Sequence, residues 1–176
     1  MIFLSAWEHK KHEDITYHGN ASILIISDSL SKLNEGEWKN IDKSGMLIKE
    51  FLEMKNVKID TFSVVPDDIY EIRKWVLFQV DKQIGFLVLS GGTGFSKRDV
   101  TPEAVKPLLD VEVPGFGEEF RRISISNIGV RGMLSRAFAG IIKNTVLIAL
   151  PGSPNGVRDG LKLFFPVLGH LSYLRK

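Results

Sequence analysis

Ile84-Gly85-Phe86-Leu87-Val88-Leu89-Ser90-Gly91-Gly92-Thr93-Gly94-Phe95-Ser96-Lys97-Arg98-Asp99-Val100-Thr101-Pro102-Glu103-Ala104 is the stretch whose reading decides the fold. Its first part is an apolar run that reads as a strand buried on both faces, the mark of a parallel sheet covered by helices. Whatever follows such a strand leaves the carboxyl edge of the sheet, where open α/β folds place their ligands. Gly91, Gly92 and Gly94 let backbone N–H groups converge on an oxyanion with no Cβ in the way, and Ser90 and Thr93 add hydroxyl donors. The loop is suited to phosphate.

Charge comes next. Lys97, Arg98 and Asp99 precede a helix predicted over 101–110, with Thr101 as its N-cap, Pro102 in the first turn and Glu103 at the positive end of the dipole. A carboxylate beside a phosphate site repels its ligand unless a divalent cation lies between them, so Asp99 points to Mg²⁺. Two common phosphate motifs are excluded. The pattern G-x-x-x-x-G-K-[ST] needs glycine where Ser96 precedes Lys97, and G-x-G-x-x-G fails at Lys97.

Outward from this stretch, residues 21–27, 57–65 and 144–150 read as further strands. Each is followed by a polar turn: Asp28-Ser29, Pro66-Asp67-Asp68 and Pro151-Gly152-Ser153-Pro154. Between them, Asp42 reads as the N-cap of a helix carrying Leu47, Ile48, Phe51 and Leu52 on one face, and Ile69, Ile72, Val76 and Val80 have helical spacing. Pro114-Gly115-Phe116-Gly117 predicts a turn into a short helix, with Glu118 at its start. The small residues Ala137, Ala139 and Gly140 predict a helix over 133–142 packed closely on the sheet, and 157–174 predicts a helix kinked or broken at Pro166.

Alternating strands and helices joined by short loops predict a three-layer α/β/α fold with a mostly parallel, doubly wound sheet. In that fold Ser27-Asp28, Pro66-Asp67, residues 90–99 and residues 151–154 share one edge. Asp28, Asp42, Ser44 and Asp67 are also residue types that cap helices and close turns, so residue type alone leaves both readings open.

With 176 residues, 44% of them hydrophobic, the chain is long enough for one domain with a full core. We expect an N-terminal arm over 1–20 and an α/β domain over 21–176. The 23 basic and 21 acidic residues leave a net charge of +2 with no long like-charge block, so bulk electrostatics gives no reason to expect nucleic acid. Absence of cysteine excludes disulfides and thiolate chemistry and suits a reducing compartment. Neither a signal sequence nor a membrane-length apolar run is visible, so a cytoplasmic protein with no membrane partner is expected. His9, His12 and Glu13 in the arm read as a solvated charged segment rather than as metal ligands.

Residues 90–104, Ser-Gly-Gly-Thr-Gly followed by Arg-Asp-Val-Thr-Pro-Glu-Ala, resemble the signature of the MogA/MoaB molybdopterin-binding family, in which Thr usually stands at the position of Ser90. Asp42-Lys43-Ser44-Gly45, Val64-Val65-Pro66-Asp67, Pro114-Gly115-Phe116-Gly117-Glu118, Leu134-Ser135-Arg136-Ala137 and Leu150-Pro151-Gly152-Ser153-Pro154 extend the resemblance to the C-terminus. The resemblance implies a molybdopterin adenylyltransferase of molybdenum or tungsten cofactor synthesis. Such an enzyme moves AMP from Mg-ATP to the molybdopterin phosphate and releases pyrophosphate.

By the same resemblance Asp67 and Asp99 are the catalytic and Mg²⁺-holding residues. Ser90, Gly91, Gly92, Thr93, Gly94, Arg98, Ser135, Pro151, Gly152 and Ser153 bind substrate and phosphate, with Arg136 a further candidate at the cleft. A homotrimer or homohexamer is implied, with the arm able to lie on a neighbouring subunit. The alternative is a non-catalytic molybdopterin-binding or assembly protein of the MoaB branch. A CinA-type nucleotide cleft fits less well, since that type carries Gly-Gly-Leu-Gly and Asp-Asp where this chain has Gly-Gly-Thr-Gly and Arg98-Asp99.

Overall fold

The apolar runs that read as buried strands line up side by side in the computed structural model, which describes residues 16–175. In chain order the elements are β1 (Asn20–Ile26), α1 (Glu35–Ile41), α2 (Lys43–Met54), β2 (Lys58–Val65), α3 (Ile69–Asp81), β3 (Phe86–Ser90) and α4 (Thr101–Val105). There follow β4 (Val111–Glu112), α5 (Pro114–Ile128), a 3-10 segment (Gly129–Leu134), β5 (Phe138–Ile142), β6 (Thr145–Leu150) and α6 (Pro154–Leu174). The six strands form one sheet in the order β2-β1-β3-β6-β5-β4. The first four are mutually parallel; β5 runs antiparallel to β6, and β4 antiparallel to β5, so that β5 alone is reversed.

Period-two alternation sends the side chains of each strand to opposite faces, so one sheet makes two cores. On one face Ile23, Ile25, Phe86, Val88 and Ile148 pack with Ile48 and Leu52 of α2, Phe116 and Phe120 of α5, and Leu161 and Phe164 of α6. On the other, Leu24, Leu87, Leu89 and Leu147 pack with Ile72, Val76 and Val80 of α3 and Ala104 and Val105 of α4. The result is the three-layer α/β/α arrangement predicted from the alternation of elements. Tyr17, buried between Gly19, Gly85 and Phe86, donates its hydroxyl to Asn20 O at 2.6 Å. Burial pushes its phenol pKa well above the ordinary value.

Five sequence expectations are corrected. Residues 133–142 are not a helix: the chain passes through the 3-10 segment into β5, and the small residues there serve a strand buried on both faces. A Cβ at Gly140 would lie 2.6 Å from Leu109 Cδ1 and 2.9 Å from Val111 O, so smallness at this position admits the crossing β4. Thr101 is the first helical residue rather than the N-cap, because its hydroxyl is drawn to a tertiary partner, Gly91 O. The helix it begins ends at Val105 and tightens to 3-10 over Lys106–Leu108, where Pro107 removes a donor.

The helix at Pro114 contains both glycines and runs for 15 residues, longer than the short helix expected. Finally, α6 continues through Pro166 for 21 residues, since the fully buried Phe164 and Leu168 on either side keep it docked. Among the described residues no helix is long and apolar enough to cross a membrane. Residues 1–15, which include most of the expected arm with His9, His12 and Glu13, lie outside the described residues.

Candidate functional site

Parallel pairing of β2, β1, β3 and β6 places Val65, Ile26, Ser90 and Leu150 at one edge of the sheet. The four polar turns that follow them therefore meet. Within the glycine loop, Gly91 and Gly92 have φ of 114° and 62°, conformations that L side chains rarely adopt. The loop's carbonyls are tied back into the protein. Gly91 O accepts from Thr101 Oγ1 at 2.8 Å, Gly92 O from Thr101 N at 3.0 Å, Thr93 O from Arg136 N at 3.0 Å and Gly94 O from Arg136 Nε at 2.7 Å.

In a trans peptide the next N–H points away from the carbonyl, so fixing these oxygens turns the N–H groups of Gly92, Thr93 and Gly94 the other way. Among the described residues no hydrogen bond takes up the N–H of Gly92 or Thr93, and both residues line a cavity of about 490 Å³. The loop after β6 forms the next wall. Ser153 caps α6 by accepting from Gly156 N at 3.2 Å, so the positive end of a long helix faces the same space.

Ser44 Oγ donates to Gly152 O at 2.7 Å and orients the following peptide in the same manner. Asp42 holds Ser44 in place by accepting from Ser44 N and Gly45 N at 3.2 and 3.1 Å, as expected of an N-cap; burial pushes its carboxyl pKa up, against those two bonds. Ser124, Ile128, Arg131, Leu134 and Ser135 close the far side of the cavity.

A second cavity of about 330 Å³ lies beside it, lined by Asp28, Asp67, Asp99, Arg98, Lys32 and three serines. Asp99 lines both cavities. Asp28 and Asp67 hold one another: Asp28 N–H donates to Asp67 Oδ2 at 3.0 Å and Asp67 N–H to Asp28 Oδ1 at 3.1 Å. The cap of α3 is Asp68, which accepts from Glu71 N at 2.9 Å, so Asp67 is spared that duty. Its other oxygen, Oδ1, looks toward the glycine loop, 3.3 Å from where a Cβ on Gly92 would stand.

Burial pushes the Asp67 carboxyl up, and the charges of Asp28 and Asp99 add to this, against the Asp28 N–H and Arg98. Burial acts on Asp99 in the same direction, but hydrogen bonds from Ser96 and Gly94 and the Arg136 charge outweigh it and hold Asp99 below its usual value. Three carboxylates crowd one polar cavity. Among the described residues no three His, Cys, Asp or Glu side chains form a complete metal cage. The donor set instead fits a hard dication of the Mg²⁺ kind, which takes one or two carboxylates and completes its shell with water and substrate phosphate. Asp67 and Asp99 are the residues that would hold it.

A consequence is testable on stability alone. Because Asp67 titrates higher in the native state than in the unfolded chain, the native state binds more protons across that interval, and stability falls as pH rises through it. Asp67→Asn removes this dependence while keeping an acceptor for Asp28 N–H. Its melting temperature is expected to exceed that of the parent at neutral pH and to lose the advantage in acid. A lower melting temperature at neutral pH would show that the carboxylate stabilises the fold.

Of the other residues singled out from sequence, Thr93, Gly92, Gly94, Ser135, Pro151, Gly152 and Ser153 line the first cavity, and Arg98 lines the second. Arg98 is 79% exposed and 4.0 Å from Asp28. Ser90 is buried and gives its hydroxyl to Pro151 O at 3.2 Å, joining the two loops from behind. Gly91 lies behind the loop as well, its N–H donating to Leu150 O. Glu118 lines neither of these cavities, and the Arg136 guanidinium faces loop carbonyls.

Residues missed in the sequence are Arg131, Ser124 and the pair Asn127–Asp159, joined at 2.9 Å in the cavity lining. The signal at Arg131 is its neighbour: a Cβ on Gly132 would overlap Ile125 N, so Gly132 lets this segment fold against α5.

A sheet edge with an N–H cradle next to clustered carboxylates defines a class, the α/β proteins that hold a phosphorylated ligand at strand ends. Comparison with known proteins is more specific. Residues 22–170 match the "Probable molybdopterin binding domain", and the chain belongs to that family.

It is 40% identical over 173 residues to molybdenum cofactor biosynthesis protein B of Bacillus cereus, covering 97% of each chain. Among solved structures it superposes on the tungsten cofactor synthesizing protein MoaB from Pyrococcus furiosus with a TM-score of 0.80 and 34% identity, covering 90% of this chain and 97% of that one. The molybdopterin biosynthesis Mog protein from Mycobacterium ulcerans gives 0.81 and 31%, covering 90% and 99%. The chain is thus a molybdenum cofactor biosynthesis protein of the MoaB/MogA family, with the family's α/β fold.

Proposed function

We propose that this protein is a molybdopterin adenylyltransferase that uses Mg-ATP. The observation that carries the reading is the position of Asp99, which lines both the N–H cradle and the carboxylate cavity, so that phosphates held in the two spaces meet at one residue. An oxygen of the molybdopterin phosphate attacks the α-phosphorus of ATP. One P–O bond forms, the bond from the α-phosphorus to its bridging oxygen breaks, and pyrophosphate leaves with the electron pair. A phosphate monoester has its second pKa near about 6, so the nucleophile needs no general base.

The chain's own groups divide the work. The N–H groups of Gly92 and Thr93, with the start of α6, hold the nucleophilic phosphate, while Ser135, Ser153 and Arg131 line the space for the rest of molybdopterin. Arg98, exposed at the mouth of the second cavity, screens charge on the nucleotide phosphates. A bound Mg²⁺ would supply neutralisation of the departing pyrophosphate, held by Asp67 and Asp99. We also propose assembly as a homotrimer or homohexamer, which light scattering of the full chain tests.

Purified protein given molybdopterin and Mg-ATP is expected to release pyrophosphate, with none in the absence of molybdopterin. Tight molybdopterin binding without release would make the protein a binding or assembly member of the family. Absence of both would overturn the assignment of ligand.

A further inference from the structure

Arg136 lines neither of these two cavities but borders a third, of about 590 Å³, with Phe95 and Glu103, and its backbone N–H, Nε and Nη2 are directed at the loop between the first two. Its backbone N–H holds Thr93 O at 3.0 Å. Its side chain donates from Nε to Gly94 O at 2.7 Å and from Nη2 to Asp99 O at 2.6 Å, and Nη1 pairs with Glu103. The Phe95 ring covers the guanidinium at 5.3 Å. Only a planar fork of donors reaches carbonyls at both ends of a loop and a carboxylate at once; a lysine offers one point charge.

Inside the loop, the polar contacts are short-range: Ser96 N to Asp99 Oδ2 at 2.7 Å, Asp99 N to Ser96 O at 3.0 Å and Arg98 N to Ser96 Oγ at 3.3 Å. Glu103 is anchored in turn, since Arg73 of α3 donates to Ala104 O at 2.8 Å and Glu103 O at 2.9 Å. A tether therefore runs from α3 through Glu103 and Arg136 into the loop.

We propose that Arg136 is a positioning residue: by clamping Gly94 and Asp99 it sets where the N–H cradle stands relative to the carboxylates of Asp67 and Asp99. Its kinetic consequence rests on the adenylyl transfer proposed above, and its structural consequence does not.

The test compares Arg136→Lys with the parent in three measurements: melting temperature, calorimetric affinity for inorganic pyrophosphate, and amide hydrogen exchange. Arg136→Lys is expected to fold, to bind pyrophosphate about tenfold more weakly, and to exchange the Ser96 and Asp99 amides about tenfold faster, the loss of roughly one charge-assisted hydrogen bond. Exchange in β1, β3 and β6 is expected to stay unchanged.

Millimolar guanidinium added to Arg136→Ala is expected to restore pyrophosphate affinity, a rescue that a purely structural lesion does not show. Parent-like affinity and loop exchange in Arg136→Lys would overturn the proposal. So would exchange that speeds up equally in the strands, since that marks general destabilisation. If the parent shows no AMP transfer, the binding and exchange measurements still decide on Arg136. If it does, kcat should fall more than KM rises.

Discussion

Gly91→Ala is expected to be severely destabilising, with a urea midpoint far below that of the parent. Gly91 stands where β3 leaves the sheet with φ of 114°, and a Cβ there would collide with the carbonyl oxygen of Ile26 and lie 3.2 Å from its carbon. Neither side can yield. Ile26 is the last residue of β1, in register with Val65. Gly91 is itself pinned at 3.0 Å to Leu150 O by its N–H and at 2.8 Å to Thr101 Oγ1 by its carbonyl.

The backbone conformation costs about 1–3 kcal/mol, and the overlap about 1–3 kcal/mol more. Against a total stability of about 5–15 kcal/mol, such a loss removes a large share of the stability. Gly115→Ala is the control. Its Cβ meets nothing within 4 Å, and its position early in α5 favours alanine, so its urea midpoint should match or exceed that of the parent. Equal midpoints for the two variants would remove the packing argument for the whole carboxyl edge.

That edge was legible in the sequence because β1, β3 and β6 are near-continuous apolar runs and β2, Lys58-Ile59-Asp60-Thr61-Phe62-Ser63-Val64-Val65, is a mixed edge strand; each is followed by a polar turn, and parallel strands so marked have one carboxyl side. β5 escaped the same reading. Ala137, Ala139 and Gly140 leave only Phe138, Ile141 and Ile142 as large apolar residues, and a short run of this kind has no period that separates strand from helix. β4, at two residues, carries no pattern at all.

The residue types of the site were visible, but several of their partners were not. Thr101 looks like an N-cap because threonine favours that role; its actual partner, Gly91 O, lies ten residues back and is chosen by the return of the chain over the glycine loop. Arg136 looks like a phosphate ligand beside Ser135, and only the fold turns its guanidinium onto carbonyls. Asp67 reads as a possible cap of α3, and the hydrogen bond from Glu71 N gives that role to Asp68, three residues earlier. The bonds of Arg136 to Gly94 and Asp99, and of Asp28 to Asp67, join residues about 40 positions apart and leave no periodic trace.

Asp99→Asn is expected to lose AMP transfer by about a hundred- to thousandfold, the usual cost of removing one preorganised electrostatic group, while molybdopterin binding stays near that of the parent. The asparagine keeps one oxygen for the Ser96 N–H, which the carboxylate accepts at 2.7 Å, so the loop keeps its shortest internal bond while the charge and an acceptor for the other donors are lost. Asp67→Asn should cause a loss of similar size. Because the two carboxylates are proposed to serve one ion, the double variant should be little worse than either single one.

Their titrations set the pH profile. Asp99, held low, stays ionised into acid, whereas Asp67, pushed up by burial and by Asp28 and Asp99, takes up a proton before it, and the nucleophilic phosphate protonates with a pKa of about 6. The parent's rate should therefore rise with pH as Asp67 and the phosphate ionise and level off above both. Multiplying losses in the double variant would mean that the aspartates act separately, and undiminished transfer by Asp99→Asn would remove its carboxylate from the mechanism.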